Sequence, residues 1–463
     1  MSRFHNREFE IKFLEDRYKR DNFELIIVYG RRRIGKTELI KNFTKNKKHI
    51  YFLCDKKGTE SNIKRFKTKI SELLGEPVIE SNDLEEIFSY LVKKVGEKLV
   101  IVFDEFSYLV EKDDAIPSVF SRAIDEVLKY TNHFMILCGS SISMMEEGAL
   151  SYKSPLYGRK TGHIKLDELP FSSFSSFFPK NSKEKNIEFY SITGGIPFYM
   201  EKFNENISTL ENVENEIASR KGRLFEEVDF ILKEELREPD VYKTVIEGIA
   251  KGNTKIVDIS NYTRIESNKL TRYINTLLRL GIIKKENIIT EKNPKSKKTI
   301  YFVDDNFFNF YFRFIEPFKS DLTIGEMNAF KKNFSKNFNT FVGKAFEKLV
   351  RKELIRSLNL PFSPSKIGRW WGYFRKGEKR ETIEIDIAAI EENSKQAAFF
   401  ECKWKDLKEK EALKILDKLK EKSKFVQWHN EKRREYFGLI AKKIENKERL
   451  RKQGYLVFDL RDF

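Results

Sequence analysis

The segment from Gly30 to Thr37 combines residue types that could bind the phosphates of a nucleotide. It reads GRRRIGKT and matches the pattern GxxxxGK[ST] in full. In such a loop, backbone N–H groups surround the phosphates, Lys36 reaches the β- and γ-phosphates, and the Thr37 hydroxyl coordinates magnesium. The alternative is a chance match, but an apolar run precedes the loop and a helical pattern follows it, as this chemistry requires. The sequence therefore predicts binding of ATP with Mg²⁺. The predicted nucleotide-binding residues of this segment are Gly30, Arg31, Arg32, Arg33, Ile34, Gly35, Lys36, Thr37 and Glu38.

Two acids follow a second apolar run, KLVIVFDEF, at positions 98–106. Asp104 is predicted to hold the magnesium ion, and Glu105 is predicted to orient and deprotonate the attacking water. The alternative is that two acids merely end a strand. In combination with the upstream loop, the pair predicts ATP hydrolysis with Lys36 and Glu105 as catalytic residues.

A second constellation lies near the C-terminus, in ETIEIDIAAIEENSKQAAFFECKWK. Two apolar runs flank the polar turn EENSK, which predicts a hairpin. Side chains alternate across a strand, so Glu401 and Lys403 share a face, and Asp386 can join them from the partner strand. Two carboxylates and a lysine on one face suit metal-dependent phosphodiester cleavage. The alternative is an ordinary α/β domain in which these acids pair with nearby lysines.

The elements around these residues predict a multidomain α/β protein. Short apolar runs alternate with polar helical stretches up to about residue 170, which indicates a parallel sheet. The predicted domains are a P-loop ATPase core (1–170), a helical lid (171–238), a winged helix (239–303), a helical connector (304–337) and a restriction-endonuclease-like α/β domain (338–463).

Residues 239–303 have the pattern of a winged helix-turn-helix. In the third predicted helix, one apolar face is formed by Leu270, Ile274, Leu277 and Leu278. A lysine-rich loop between two short strands would form the wing. If the segment binds DNA, this helix enters the major groove, and Lys269, Arg272 and Arg279 are the expected contacts. The alternative is a winged helix that serves only as an interdomain spacer.

The N-terminal half resembles the archaeal ATPases of the signal-transducing branch of AAA+-like P-loop proteins. The matching pieces are FHNREFEIKFL, GRRRIGKTELI, VIVFDEFSYL, LCGSSISMM, SPLYGRKTG and GGIPFYM, within residues 1–235. The resemblance implies that Ser140 senses the γ-phosphate and that Pro197 lies against the adenine. It also makes Arg159 a candidate arginine finger or sensor, acting in cis or from a neighbouring subunit of a homo-oligomer. The alternative for Arg159 is a buried ion pair.

The C-terminal constellation resembles the PD-(D/E)xK nuclease superfamily, with Asp386, Glu401 and Lys403 as the D…ExK set. The resemblance implies that Glu347, on the helix FVGKAFEKLVRKEL, is the helix acid of that superfamily and a metal ligand with Asp386 and Glu401. Ile385 stands where the superfamily pattern has proline. The unit also resembles a domain of unknown function that is commonly fused to these archaeal ATPases.

Composition favours a nucleic-acid partner and gives no sign of a membrane segment. The chain has 463 residues and a formal net charge of +17, which favours polyanions through phosphate contacts; solvated lysine-rich surfaces are the alternative. Three scattered cysteines and five histidines without ligand spacing argue against disulfides and structural zinc, and fit a cytoplasmic location. No apolar run approaches the roughly 20 residues of a membrane span.

The basic stretch 403–453 is interpreted as solvated helix faces or, alternatively, as a phosphate-tracking surface. Together these patterns predict an ATPase that binds DNA and couples nucleotide state to a Mg²⁺-dependent nuclease-like domain. The alternative function is an ATP-dependent signalling switch or DNA-binding regulator whose C-terminal domain does not cut.

Overall fold

The computed structural model describes residues 6–293, 299–376 and 379–463. The chain divides into two compact units. The first contains residues up to Leu169 together with Ile196–Glu201, and the second contains Pro170–Gly195 and Lys202–Phe463. The chain therefore leaves the first unit after Leu169, returns to it for one short segment, and then leaves it again.

The strands in the described part of the chain are β1 Glu24–Tyr29, β2 His49–Leu53, β3 Val100–Asp104, β4 Phe134–Gly139, β5 Gly162–Lys165, β6 Ile283–Glu286, β7 Ile300–Val303, β8 Lys366–Lys376, β9 Lys379–Glu391, β10 Gln396–Leu407, β11 Arg434–Ile444 and β12 Leu456–Asp459.

The α-helices of the same ranges are α1 Glu8–Tyr18, α2 Lys36–Thr44, α3 Thr59–Leu74, α4 Leu84–Lys94, α5 Ser107–Lys112, α6 Ile116–Glu126, α7 Ile142–Met145, α8 Phe174–Phe177, α9 Lys183–Thr193, α10 Pro197–Met200, α11 Thr209–Val213, α12 Glu227–Glu235, α13 Pro239–Ala250, α14 Ile256–Thr263, α15 Ser267–Arg279, α16 Asn306–Phe310, α17 Lys319–Thr323, α18 Asn328–Lys352, α19 Glu409–Ser423 and α20 Lys447–Lys452. None of these helices is both long and apolar enough to cross a membrane.

The first unit is built on a parallel sheet in the order β2-β3-β4-β1-β5, which confirms the predicted α/β class. Strands β1, β3 and β4 are buried along their whole length. Helices cover both faces of a parallel sheet, so its central strands are apolar throughout. Because the strands are parallel, the ends of β1, β3 and β4 meet at one edge, and that edge carries the predicted nucleotide site.

The second unit contains a mixed sheet in the order β12-β11-β10-β9-β8. The predicted hairpin is present: β9 and β10 pair antiparallel, with Phe399 opposite Ala388. Helix α19 then returns the chain so that β11 pairs parallel to β10. Strand β8 pairs only with β9 and therefore forms one edge of the sheet.

Residues 239–303 fold as α13, α14 and α15 followed by the antiparallel pair β6 and β7. On α15, Leu270, Ile274 and Leu277 are buried, as their spacing predicts, and Leu278 is half-buried. The predicted wing loop falls largely on residues 294–298, which lie outside the described residues. Helix α18 then runs for 25 residues without a break through the expected boundary at 337/338.

Candidate functional site

The loop between β1 and α2 has the backbone of a phosphate-binding loop. Gly35 adopts φ +94°, a conformation that favours glycine, immediately before α2 begins at Lys36. A Cβ on Gly30 would lie 2.4 Å from the Leu166 carbonyl oxygen, so no side chain fits there. These two glycines let the loop turn tightly, so that the first turn of α2 faces the concave side of the loop. The N-terminus of a helix favours anions at such a position.

The Lys36 side chain lies inside this loop. Its ammonium donates to the carbonyl oxygens of Gly30 and Arg31, each at 2.9 Å. Burial lowers the pKa of Lys36, and the nearby acids Glu105 and Asp104 oppose that shift. An ammonium buried in this way is a strong phosphate ligand because little water screens its charge.

Thr37 and Asp104 meet where the loop approaches the end of β3. The Thr37 hydroxyl donates to Asp104 Oδ2 at 3.0 Å. The Tyr51 hydroxyl, from β2, donates to the same oxygen, while the Glu105 amide donates to Oδ1 at 3.0 Å. Hydroxyl and carboxylate oxygens are the ligands that magnesium prefers, so Thr37 and Asp104 fit the predicted ion.

Glu105 and Ser140 are joined at the neighbouring strand ends. The Ser140 hydroxyl and amide both donate to Glu105 Oε2, at 2.7 and 3.2 Å. Glu105 has a positive φ of +55°, which is uncommon for a residue with a side chain and is found at functional sites. The predicted base and the predicted sensor are therefore in direct contact.

The three loop arginines have partners within the first unit. An Arg31 nitrogen lies 3.7 Å from a Glu168 oxygen, and Arg32 donates to the Tyr108 hydroxyl at 2.8 Å. The Arg33 guanidinium lies 4.0 Å from the centre of the Phe198 ring.

The neighbouring residue Pro197 also faces the loop. A Cβ on Gly35 would lie 3.9 Å from Pro197 Cγ. The returning segment Ile196–Glu201 thus borders the phosphate-binding loop. Ile34 of the loop is buried, and Glu38 lies in the first turn of α2.

Arg159 is bound elsewhere in the first unit. Its guanidinium donates to Asp125 Oδ2 through Nε at 3.0 Å and Nη2 at 2.5 Å, and to the Pro155 carbonyl oxygen at 2.5 Å. An ion pair is therefore present, as in the alternative that the sequence left open, but it is not buried: the Arg159 and Asp125 side chains are each about one-third exposed.

In the second unit, Asp386, Glu401 and Lys403 lie together on the mixed sheet. The Lys403 ammonium donates to Glu401 at 2.7 Å and to Asp386 at 3.2 Å. Burial alone would lower the pKa of Lys403, but the two carboxylates raise it well above its usual range. Burial would raise the pKa of Asp386, but the charge of Lys403 holds it below its usual value.

Two further groups border this cluster. Lys422, from the end of α19, donates to Glu401 Oε1 at 2.6 Å. Glu347, on α18, accepts from Lys344 at 3.0 Å. Burial and the charge of Asp386 raise the pKa of Glu347, so the helix acid lies within electrostatic reach of the sheet acid.

The acids of this cluster do not form a group ready for a metal ion. Among the residues that the structure describes, no three His, Cys, Asp or Glu side chains converge in that way. Glu401 is bound by two lysines, and Lys403 bridges it to Asp386. Of the three expected metal ligands, Asp386 and Glu401 therefore belong to one ion-pair network, while Glu347 pairs separately with Lys344.

On α15, Lys269, Arg272 and Arg279 are exposed, away from the buried apolar face. A Lys269 nitrogen lies 3.8 Å from an oxygen of Glu266, the residue that precedes this helix. The three basic side chains predicted to face DNA thus lie on one solvent-facing part of this helix.

Two residues of these sites are absent from the sequence predictions. Tyr51 belongs to a strand that was recognised only as a buried apolar run, and Lys422 belongs to a long basic stretch in which no lysine stands out. The signal for Tyr51 was its position two residues before the end of a strand beside β3, with an aromatic hydroxyl that can reach the sheet edge.

The chain matches two families of known proteins. Residues 4–203 match an ATPase domain found predominantly in Archaea, and residues 311–415 match a domain of archaeal and bacterial proteins of unknown function. An uncharacterized protein of Methanocaldococcus jannaschii is 40% identical over 466 residues, which cover 99% of this chain and 100% of that protein. An uncharacterized ATP-binding protein of the same organism is 56% identical over 45 residues, 10% of this chain and 76% of that protein.

A solved structure is similar in fold. The Walker-type ATPase of Pyrococcus abyssi has a TM-score of 0.51 and 20% sequence identity, covering 67% of this chain and 96% of that one. The predicted resemblance to archaeal ATPases is therefore confirmed in sequence and in fold. This chain belongs to the predominantly archaeal family of ATP-binding ATPases, and it carries the family-associated domain of unknown function in its C-terminal half.

Proposed function

We propose that this chain hydrolyses ATP with magnesium at the loop of its first unit and that it binds DNA through residues 239–303. The observation that carries the first part is the hydrogen bond between Thr37 and Asp104. It joins the phosphate-binding loop to the acidic strand end, beside the buried Lys36. Phosphoryl transfer needs positioned charge more than covalent chemistry, and these groups supply it.

The loop residues bind and orient the triphosphate. Backbone N–H groups between Gly30 and Thr37 surround the phosphates, and the Lys36 ammonium exchanges its two carbonyl partners for phosphate oxygens. Thr37 and Asp104 hold the magnesium ion, which when bound neutralises charge on the β- and γ-phosphate oxygens. Pro197 lies against the adenine, as the resemblance to archaeal ATPases implies, and its segment borders the loop at Gly35.

Glu105 orients the attacking water and accepts its proton, and Ser140 positions the Glu105 carboxylate through two hydrogen bonds. For Arg159 to act as an arginine finger, in cis or from a neighbouring subunit, it must first leave Asp125. If a second copy supplies the arginine finger, the rate of ATP hydrolysis per protein molecule should rise with protein concentration.

ATP turnover tests the first part directly. Lys36→Ala and Glu105→Gln should each abolish most phosphate release, while Lys41→Ala on the exposed side of the same helix should not. Glu105→Gln should still bind nucleotide, because the loop remains intact. Unchanged turnover in both site variants removes the assignment.

DNA binding is proposed for the exposed side of α15. Lys269, Arg272 and Arg279 are presented by a helix whose opposite side is buried, an arrangement that suits phosphate and groove contacts. Arg272→Ala should weaken binding of duplex DNA and reduce its salt dependence by about one phosphate contact. Lys93→Ala, an exposed charge on the first unit, is the matched control. Equal loss in both variants would indicate nonspecific attraction only.

A second candidate function is phosphodiester cleavage at the C-terminal cluster. The observation that favours it is the shared location of Asp386, Glu401 and Lys403, with Glu347 in electrostatic reach. The observation that favours a non-cutting regulator is the lysine pairing of both sheet acids. Incubation with linear and branched DNA, with Mg²⁺ or Mn²⁺, separates them. Cleavage lost in Asp386→Ala and Glu401→Ala supports the nuclease, and intact but shifted DNA supports the regulator.

Coupling between nucleotide state and the second unit is proposed to run through the chain itself. Ile196–Glu201 belongs to the first unit, while the residues on both sides of it belong to the second. A nucleotide that fixes the position of Pro197 therefore also restrains the chain on both sides of it, which belongs to the second unit. Duplex DNA affinity measured with ATP, ADP and no nucleotide should differ, and Pro197→Ala should reduce the difference.

A further inference from the structure

An aromatic cavity of about 590 Å³ lies within the second unit, outside the sites described above. Four segments form its walls. They are the edge strand β8 with Trp370, Trp371, Tyr373 and Phe374, the neighbouring strand β9 with Ile383, the stretch after β6 with Ile288, Thr290 and Glu291, and the stretch after α19 with Phe425 and Gln427. Its volume falls in the range of pockets that bind small organic groups.

The cavity exists because residues 239–303 are fixed to the edge strand. The Ile289 amide donates to the Arg369 carbonyl oxygen at 3.0 Å. A Glu286 oxygen from β6 lies 3.6 Å from an Arg369 nitrogen, and another lies 3.6 Å from an Arg351 nitrogen on α18. These side chains are mostly buried, so the ion pairs hold the two parts together with little screening by water.

The cavity offers flat aromatic surfaces to solvent. Tyr373 is 43% exposed and Phe425 is 42% exposed, although both line the cavity. Trp370 and Trp371, at 6% and 5% exposure, form its floor. An unpaired base stacks on such rings, and stacking accepts every base because each has a π-face.

The polar groups of the cavity suit the edge of a base. Thr290, Glu291 and Gln427 supply hydroxyl, carboxylate and amide groups among the rings. A carboxylate accepts from an exocyclic amino group, which cytosine, adenine and guanine carry and thymine lacks.

Two lysines border the aromatic rings. The Lys255 ammonium lies 5.0 Å from the centre of the Tyr373 ring, and Lys292 is exposed next to Glu291. The Arg369 guanidinium lies 5.9 Å from the centre of the Trp371 ring but is paired with Glu286 and Glu384. A chain of phosphates that enters beside the Tyr373 ring therefore meets the charges of Lys255 and Lys292.

The cavity also lies close to the acid cluster. Trp371 pairs with Glu384 across β8 and β9, and Glu384 precedes Asp386 by two residues on the same face of the strand. Two residues along a strand span about 7 Å. Ile383, the β9 residue that lines the cavity, lies on the opposite face of this strand from Asp386. The cavity therefore adjoins the strand that carries Asp386, at its edge with β8.

We propose that this cavity binds an unpaired nucleobase of single-stranded nucleic acid, with a preference for bases that carry an exocyclic amino group. The proposal rests on nucleic acid being the partner of the second unit, as proposed above. It adds a single-strand site that is separate from the α15 surface. It also gives the two adjacent tryptophans of β8 a role beyond packing.

The test uses the full chain and fluorescein-labelled oligodeoxycytidine, followed by anisotropy. Tyr373→Ala and Phe425→Ala should each weaken binding roughly 5- to 100-fold, the range for loss of one stacked base. Tyr130→Ala, an aromatic that is 76% exposed on the first unit, should bind as the wild type does. An oligomer of the same length with abasic sites keeps the phosphates but lacks bases, so it should bind as weakly as the variants do.

The proposal is overturned if the protein binds the cytidine and abasic oligomers with equal affinity, or if Tyr373→Ala and Phe425→Ala both leave the affinity unchanged. It is also overturned if an apolar peptide binds at the cavity and the oligomer does not. Glu291→Ala removes the acceptor and should abolish the preference for oligodeoxycytidine over oligodeoxythymidine while keeping the fold, which thermal unfolding checks. Duplex DNA separates this proposal from the previous one. If Arg272→Ala weakens duplex but not oligodeoxycytidine binding, the two sites are distinct. If oligomer binding requires Tyr373 and duplex DNA does not bind, the result supports the cavity proposal and contradicts DNA binding by α15.

Discussion

Removal of the Tyr51 hydroxyl tests whether the contacts of Asp104 prepare it for magnesium. Tyr51→Phe keeps the ring and deletes one of the donors to this carboxylate, which is only 2% exposed. The donors that remain include the Thr37 hydroxyl and the Glu105 amide, both at 3.0 Å. The change therefore loosens the carboxylate without removing the predicted ligands.

The magnitude follows from the type of hydrogen bond that is lost. A hydrogen bond to a charged group contributes about 1.5–3 kcal/mol, and about 1.4 kcal/mol corresponds to tenfold in an equilibrium constant. Because these donors remain, we expect the lower end of the range: a magnesium half-saturation about tenfold higher. The free energy of unfolding should fall by about 1 kcal/mol.

Two measurements check this result: phosphate release as a function of free Mg²⁺ at saturating ATP, and calorimetric binding of ADP with and without Mg²⁺. The second does not depend on turnover. Tyr108→Phe is the matched control, because its hydroxyl accepts from Arg32 and does not contact Asp104. If Tyr51→Phe has the magnesium dependence and Tm of this control, the Tyr51 contact has no part in positioning Asp104.

Three further changes test other parts of the molecule. Ser140→Ala should lower turnover, and adding it to Glu105→Gln should cost nothing more, since the hydroxyl acts through that carboxylate; additive losses in a double-mutant cycle would contradict this. Gly35→Ala should weaken nucleotide binding in calorimetry by about 1–3 kcal/mol, because φ +94° strains any residue with a Cβ. Glu347→Gln should raise Tm at pH 8 and lose this effect as the pH falls towards 5. Folding favours the neutral form of Glu347, because its pKa is raised in the folded protein. The ionised carboxylate therefore destabilises the fold only when the pH exceeds about 4.3, the pKa of a glutamate in the unfolded chain. This destabilisation grows until the pH reaches the raised pKa of the folded state. Glu421→Gln, on an exposed pair, should show no such trend.

The nucleotide site was predictable because its parts are local or lie at strand ends. The loop from Gly30 to Thr37 is contiguous, and Asp104 and Ser140 each follow a buried strand. In a parallel sheet, the carboxyl ends of strands share one edge, so these side chains had to approach one another. The predicted strands and their parallel arrangement are accordingly confirmed.

The strand order and the partners across it were not predictable. Tyr51 reaches Asp104 only because β2 pairs directly with β3, and nothing in a single sequence states which strands are neighbours. The Arg159 alternatives stayed open for a similar reason: its partner Asp125 is 34 residues away on α6. Lys422 reaches Glu401 through the packing of α19 on the sheet, which is also a tertiary event.

The C-terminal constellation shows how far spacing alone can go. Alternation along β10 put Glu401 and Lys403 on one face, and the hairpin register brought Asp386 to them. Spacing did not predict which cations pair with the carboxylates. Lys403 and Lys422 both pair with Glu401, whose oxygens were expected to bind a metal. The chemistry of this face therefore depends on groups from outside the motif.

Helix α18 connects the DNA-binding candidate to this face. Lys348 lies 2.9 Å from Asp304 and Arg351 lies 3.6 Å from Glu286, and both acids belong to or directly follow the hairpin of β6 and β7. Burial and the charges of Lys348 and a second lysine act on Asp304, with the net effect that its pKa is far below its usual value. Breaking a buried pair by removing one partner costs several kcal/mol, so the hairpin and the helix should move together. Glu347 precedes Lys348 on the same helix. Glu286 also pairs with Arg369 on β8, so the hairpin is fixed to the sheet as well as to α18. Residues 239–303, Glu347 and the sheet acids should therefore move together when a nucleic acid binds at α15, which keeps that surface at a fixed distance from the acid cluster.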